Sequence, residues 1–226
     1  MIQKPSVTAG TLLASSRFVV SNTARVLALA NAAPAFAGPI PQPYYFPNGS
    51  RGVKINYALP AACDANTKAA VDTINAAGRS FQLTGTTQNY TSTYYSATED
   101  PDFINIQDGS SMSAIMRTII YGYSGPAPAQ AIDATVYVNT DRIYYDTGHT
   151  AQSTDLICGS SITSSNIGQH IDWQSAMTHE MGHVKGMDHR TDGSTGPCLM
   201  TTYLNPGQIK RSLCSDERAL LVGFYG

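Results

Sequence analysis

Hydrophobic and polar positions alternate over residues 53–59, placing Val53, Ile55, Tyr57 and Leu59 on one face and predicting a half-buried strand. The period then changes. Ala69, Ala70, Ile74 and Ala77 recur at helical spacing, with Asp64 or Asn66 available as the cap and Gly78 as the stop. Polar alternation over residues 79–100 suits a strand and a twisted hairpin, and residues 102–107 read as a clearer strand between Pro101 and Asp108-Gly109. Residues 116–123 read as an edge strand ended by Gly125-Pro126, and residues 134–139 as a buried strand. Gly, Ser, Thr and Asp dominate residues 140–169, which predicts loop. A helix follows over residues 172–185, capped by Asp172, with Trp173, Ala176, Met177 and Val184 on the face turned to the sheet. Ser215 is placed to cap a last helix, with Asp216 and Glu217 at its positive end and Ala219, Leu220 and Leu221 turned inward.

Composition adds a leader to this picture. Residues 1–37 hold Lys4, Arg17 and Arg25 but no acid, and end in an alanine-rich apolar run whose Ala35-Phe36-Ala37 has the small-x-small form of a signal-peptidase site. A prosegment is the other reading of the same stretch, because Arg17, Arg25, Asn31 and Pro34 interrupt its apolar region. Proline and aromatic residues then make residues 38–50 an extended lead-in, leaving residues 51–226 as one domain with a sizeable core. Removing the three leader cations leaves 11 basic residues against 16 acidic ones, a net charge of −5 that argues against nucleic acid as a partner. No stretch after the leader has the apolar length of a membrane span. Four cysteines in an exported chain read as two disulfides. Three pairings are open; the favoured one joins Cys198 to Cys214 and leaves Cys63 with Cys158.

The chemistry concentrates between Thr178 and Met200. His179 and His183 are one helical turn apart, so both imidazoles leave the same face and can meet one metal ion at the spacing zinc requires. Glu180 projects beside that metal, where a carboxylate can take a proton from water. Gly186 supplies the left-handed backbone that stops the helix and turns His189 back as a third ligand. From residue frequencies, a chance match to all five positions is expected in about one such chain in a hundred thousand, so the spacing is not accidental.

H-E-M-G-H-V-K-G-M-D-H with a following methionine resembles the metzincin clan of zinc endopeptidases, and the order of elements before the helix resembles the matrixins and astacins. The resemblance implies an α+β fold. Its upper subdomain, residues 51–186, would hold a twisted mixed sheet and two helices; its lower one, residues 187–226, would be small and end in a helix. It implies one catalytic zinc on His179, His183 and His189, Glu180 as general base, and Met200 as an apolar floor beneath the imidazoles. Peptide substrate would lie along the edge strand at residues 116–123, with residues 200–206 lining the pocket for the residue after the cut. Tyr203 is a candidate for the wall of that pocket or for the oxyanion group. By analogy with matrixins, the loop bearing Asp141, Asp146, His149, Asp155 and His170 is a candidate for calcium or a second zinc. Two residues depart from the clan. Arg190 stands where astacins have Glu and matrixins usually Ser, and Tyr203 follows Met200 by three positions where astacins and serralysins have two. The resulting expectation is a secreted, monomeric endopeptidase acting on proteins or peptides; the alternative is a catalytically silent secreted binding or adhesion domain, which loss of Glu180 or a ligand would have favoured.

Overall fold

In a computed structural model of the chain, the described residues are 39–41, 44–56, 59–90, 103–109, 112–122, 129–143, 155–159, 161–190 and 196–226. The expected leader at 1–37, the hairpin beyond residue 90, Tyr57, Asp146 and His149 lie outside them. In chain order the elements are β1 (Pro39–Pro41), β2 (Tyr44–Tyr45), β3 (Gly49–Asn56), α1 (Asp64–Asn75), β4 (Phe81–Tyr90), β5 (Phe103–Asp108), β6 (Met116–Gly122) and β7 (Ala129–Val138). After them come β8 (Leu156–Ile157), β9 (Ile171–Asp172), α2 (Trp173–Val184), β10 (Met187–Arg190) and α3 (Ser215–Tyr225).

The main sheet runs β2-β7-β5-β3-β4, with β6 paired to β7. The β3–β4, β3–β5 and β5–β7 ladders are parallel and β6–β7 is antiparallel, which makes the sheet mixed, as expected of an α+β fold. Cross-strand partners share a face, so the register of Ile55 with Ile106, Ile106 with Val136 and Val136 with Thr118 draws one inward row across four strands. That row is apolar except at its last member. The buried core joins it to Ala70, Val71 and Ile74 of α1 and to Trp173, Met177, Met181 and Val184 of α2. The two helices are also tied by polar contacts. Trp173 Nε1 donates to Thr67 Oγ1 at 2.9 Å, and the Cys63–Cys158 disulfide joins the start of α1 to the segment ahead of α2.

Several local expectations shift. β3 ends at Asn56 rather than Leu59, because the chain must turn into a short 3-10 helix at Ala61–Cys63 before α1. Neither Asp64 nor Asn66 caps α1; Cys63 holds that position without a side-chain bond. Asn66 is instead buried, and its Oδ1 accepts from Gly159 N at 2.9 Å beside the disulfide. Cys214 rather than Ser215 is the cap of α3, its N–H donating to Glu217 Oε2 at 2.9 Å. Ala219 faces solvent, and the inward face of α3 is Glu217, Leu221 and Tyr225, one turn apart. Both disulfides have the favoured pairing, Cys63–Cys158 and Cys198–Cys214. The extended lead-in is not a loose arm: β1 pairs antiparallel with β10, and β2 pairs parallel with β7. No helix among the described residues is long and apolar enough to cross a membrane.

Candidate metal centre

Asp172 starts α2 as expected. Its Oδ2 accepts from Ser175 N at 2.9 Å, and the Arg211 guanidinium grips the same carboxylate through Nε at 2.8 Å and Nη2 at 2.5 Å. This fixes the axial position of everything α2 carries. Past Val184 the chain leaves the helix through Gly186, whose φ of +86° few side chains tolerate, and β10 then returns His189 towards the helix.

His179, His183 and His189 converge, with their ligand-type nitrogens within 4.8 Å of one another. His179 Nε2 lies 3.2 Å from His189 Nε2 and 3.1 Å from His183 Nε2. The opposite ring nitrogens decide the tautomers. His179 Nδ1 lies 2.9 Å from Leu199 O and His183 Nδ1 lies 2.7 Å from Met187 O; a carbonyl only accepts, so each Nδ1 carries the hydrogen. Both Nε2 atoms are therefore unprotonated and turned towards each other, an arrangement that repels until a cation sits between them. Tetrahedral zinc with Zn–N bonds of about 2.1 Å needs ligand nitrogens about 3.4 Å apart, close to what is found. The donor set fits the ion. Burial holds His179 and His183 down to about 4, with neighbouring histidines adding to the effect, so both rings are neutral and ready to ligate at neutral pH. Burial also lowers His189, the most exposed of the three.

Glu180 is buried beside this cluster, and burial raises its carboxyl above the ordinary range, opposed by the nearby His179 and by a hydrogen bond from Thr118. Thr118 Oγ1 on β6 lies 2.7 Å from Glu180 Oε2. The sequence reading did not single out Thr118. A hydroxyl in the otherwise apolar inward series Met116, Thr118, Ile120 was the signal available.

Met200 is fully buried. Gly182 lets it approach: a Cβ there would stand 2.6 Å from Met200 Sδ and 2.9 Å from Met187 Cε. Glu217, also fully buried, holds the turn by accepting from Met200 N at 2.7 Å and Leu199 N at 3.2 Å. Arg190, the departure from the clan pattern, donates its backbone N–H to Met200 O at 2.8 Å and reaches Asp216 with Nη1 at 2.7 Å. These three acidic and basic side chains are thus structural neighbours of the turn. Reading Glu217 as a helix-end charge caught only its local bond to Cys214.

Other expected site residues are dispersed. Tyr203 is 77% exposed. A cavity of about 360 Å³ is lined by Ser164, Gly196, Pro197 and residues 207–210. Asp155 is buried against Arg142 at 3.1 Å, and neither it nor Asp141 nor His170 joins a ligand cluster among the described residues. The other gathered group, Cys198, Cys214 and Asp216, has its sulfurs in a disulfide.

No family model matches the chain, and no curated protein does. Among solved structures it is similar to high choriolytic enzyme 1, a hatching-enzyme zinc protease from Oryzias latipes (medaka fish), at 10% identity and a TM-score of 0.37, covering 78% of this chain and 92% of that one. It is also similar to metalloproteinase-II from Bacteroides fragilis, at 11% identity and a TM-score of 0.40, covering 83% of this chain but 58% of that one.

Proposed function

We propose that the chain is a zinc-dependent endopeptidase of metzincin type, matrixin-like in its element order, with His179, His183 and His189 as ligands and Glu180 as general base. The observation that carries this is the convergence of three imidazoles, two of them with tautomers fixed by backbone carbonyls, beside a buried carboxylate. When bound, zinc supplies Lewis acidity to the scissile carbonyl and to the attacking water. Glu180 takes the proton from that water and later delivers it to the leaving amine. Its raised affinity for protons suits both halves of the task. Met200 contributes shape and polarizable packing under the rings.

Substrate binds extended along β6, which among the described residues pairs with β7 alone. Tyr203, exposed on the segment after Met200, meets substrate on the side of the leaving amine. We further propose export as a monomer after removal of residues 1–37, a reading supported by the two disulfides. Residues 51–186 and 187–226 then flank the cleft as upper and lower parts.

Metal analysis and a casein cleavage assay test the reading together. One zinc per chain, cleavage abolished by chelator, and a Glu180→Ala variant that keeps zinc but loses several orders of magnitude in turnover are expected. A chain with well under one zinc, or an active Glu180→Ala variant, overturns it. Intact mass from culture medium, showing an N-terminus at or after Gly38 and no free thiol, tests export.

A further inference from the structure

We propose that Thr118 is a positioning residue for the general base, an inference that rests on the endopeptidase reading above. The inward row Ile55, Ile106, Val136 and Thr118 crosses four strands, and valine would fill the last place with the same shape. The hydroxyl is what distinguishes it, and its hydrogen goes to Glu180. Thr118 Oγ1 is 2.7 Å from Glu180 Oε2 and 3.2 Å from the Glu180 backbone carbonyl, and the residue is 9% exposed.

The consequence follows from the two side chains' freedom. Glutamate turns about three bonds, whereas threonine is β-branched and stiff about one, on a strand held to β7 along its length. Binding the flexible carboxylate at Oε2 fixes the plane of the group and leaves Oε1, which no described residue bonds, to meet the water. Because β6 is also the strand on which peptide docks, one element sets both the position of the scissile bond and the direction of the base. A misdirected base weakens only the transition state, so its loss lowers kcat and kcat/KM together and leaves KM in place.

The test compares Thr118→Val and Thr118→Ser with the parent on a quenched-fluorescence peptide, with zinc content and Tm measured for each. Val is expected to keep one zinc per chain and a Tm well above the assay temperature, to lose about 10–100-fold in kcat, the scale set by removing orienting partners at such sites, and to hold KM within about twofold. Ser, which restores the hydroxyl, is expected to recover most of the loss. Parental kcat in Thr118→Val, an equal loss in Thr118→Ser, or a loss that tracks zinc release or unfolding at the assay temperature overturns the proposal while leaving the endopeptidase reading intact. A parent that cleaves no peptide with zinc bound ends both.

Discussion

Replacing Glu217 with glutamine removes a charge on which three backbone donors converge. Oε1 accepts from Met200 N at 2.7 Å, while Oε2 accepts from Leu199 N at 3.2 Å and Cys214 N at 2.9 Å. An amide has one accepting oxygen, so its NH₂ must face at least one of these N–H groups, and the favourable rotamer turns it towards Met200. The lost charge-assisted bond and the orphaned donor together are worth about 2–5 kcal/mol. For a unit of this size each kcal/mol moves Tm by about 2–4 °C, so a fall of roughly 4–20 °C is expected. A second effect reaches the metal. Leu199 is held by Glu217 through its N–H and orients His179 through its carbonyl, so loosening one end tilts the imidazole at the other. Zinc affinity should fall about 10–100-fold. Urea denaturation of metal-free, disulfide-intact protein gives the first quantity, and competition with a zinc-binding dye gives the second. A Glu217→Gln variant within about 0.5 kcal/mol of the parent, with unchanged zinc affinity, refutes the reasoning.

Metal-free protein should lose stability as pH falls from about 6.5 to 4: burial holds His179 and His183 at about 4, so the unfolded chain takes up their protons first. Glu180, raised by burial, works the other way in part of that window, but two imidazoles outweigh one carboxylate; denaturation at pH 7, 5.5 and 4.5 checks the slope. At the alkaline end, Lys185 is fully buried with Nζ 3.0 Å from Gly78 O, and burial lowers it to about 8. Stability should therefore rise between pH 8 and 10, and Lys185→Met should flatten that rise. Cys198→Ser with Cys214→Ser opens a link of sequence separation 16 at the methionine turn, and denaturation should register a loss of about 3 kcal/mol.

What the sequence showed in advance was whatever is written in nearest neighbours along an element. His179, His183 and Gly186 declare themselves because helical spacing and a positive φ are local facts, and Asp172 is a cap whichever way the helix packs. The strands β5 and β7 were legible for the same reason, though not which of their side chains face inward. Thr118 was not, since its bond spans 62 residues and depends on how β6 lies over α2. Glu217 was half legible: a first-turn glutamate explains its bond to Cys214, but nothing near it in the chain announces that it is buried under Met200. Ala219 was misplaced because alanine tolerates either face of a helix, and the choice between faces was made by Glu217, Leu221 and Tyr225. Tyr203 was read from motif spacing alone, which says nothing of its exposure.

The grip of α3 on the methionine turn also orders events in time. A chain made from its N-terminus delivers the sheet first, then α2 with two ligands, then His189, and only afterwards the helix whose Glu217 fastens Leu199 and Met200. Until α3 has emerged and docked, His179 lacks a fixed carbonyl to set its ring. On the endopeptidase reading proposed above, the centre is thereby kept from assembling while the chain's own unfolded segments are still nearby as substrate.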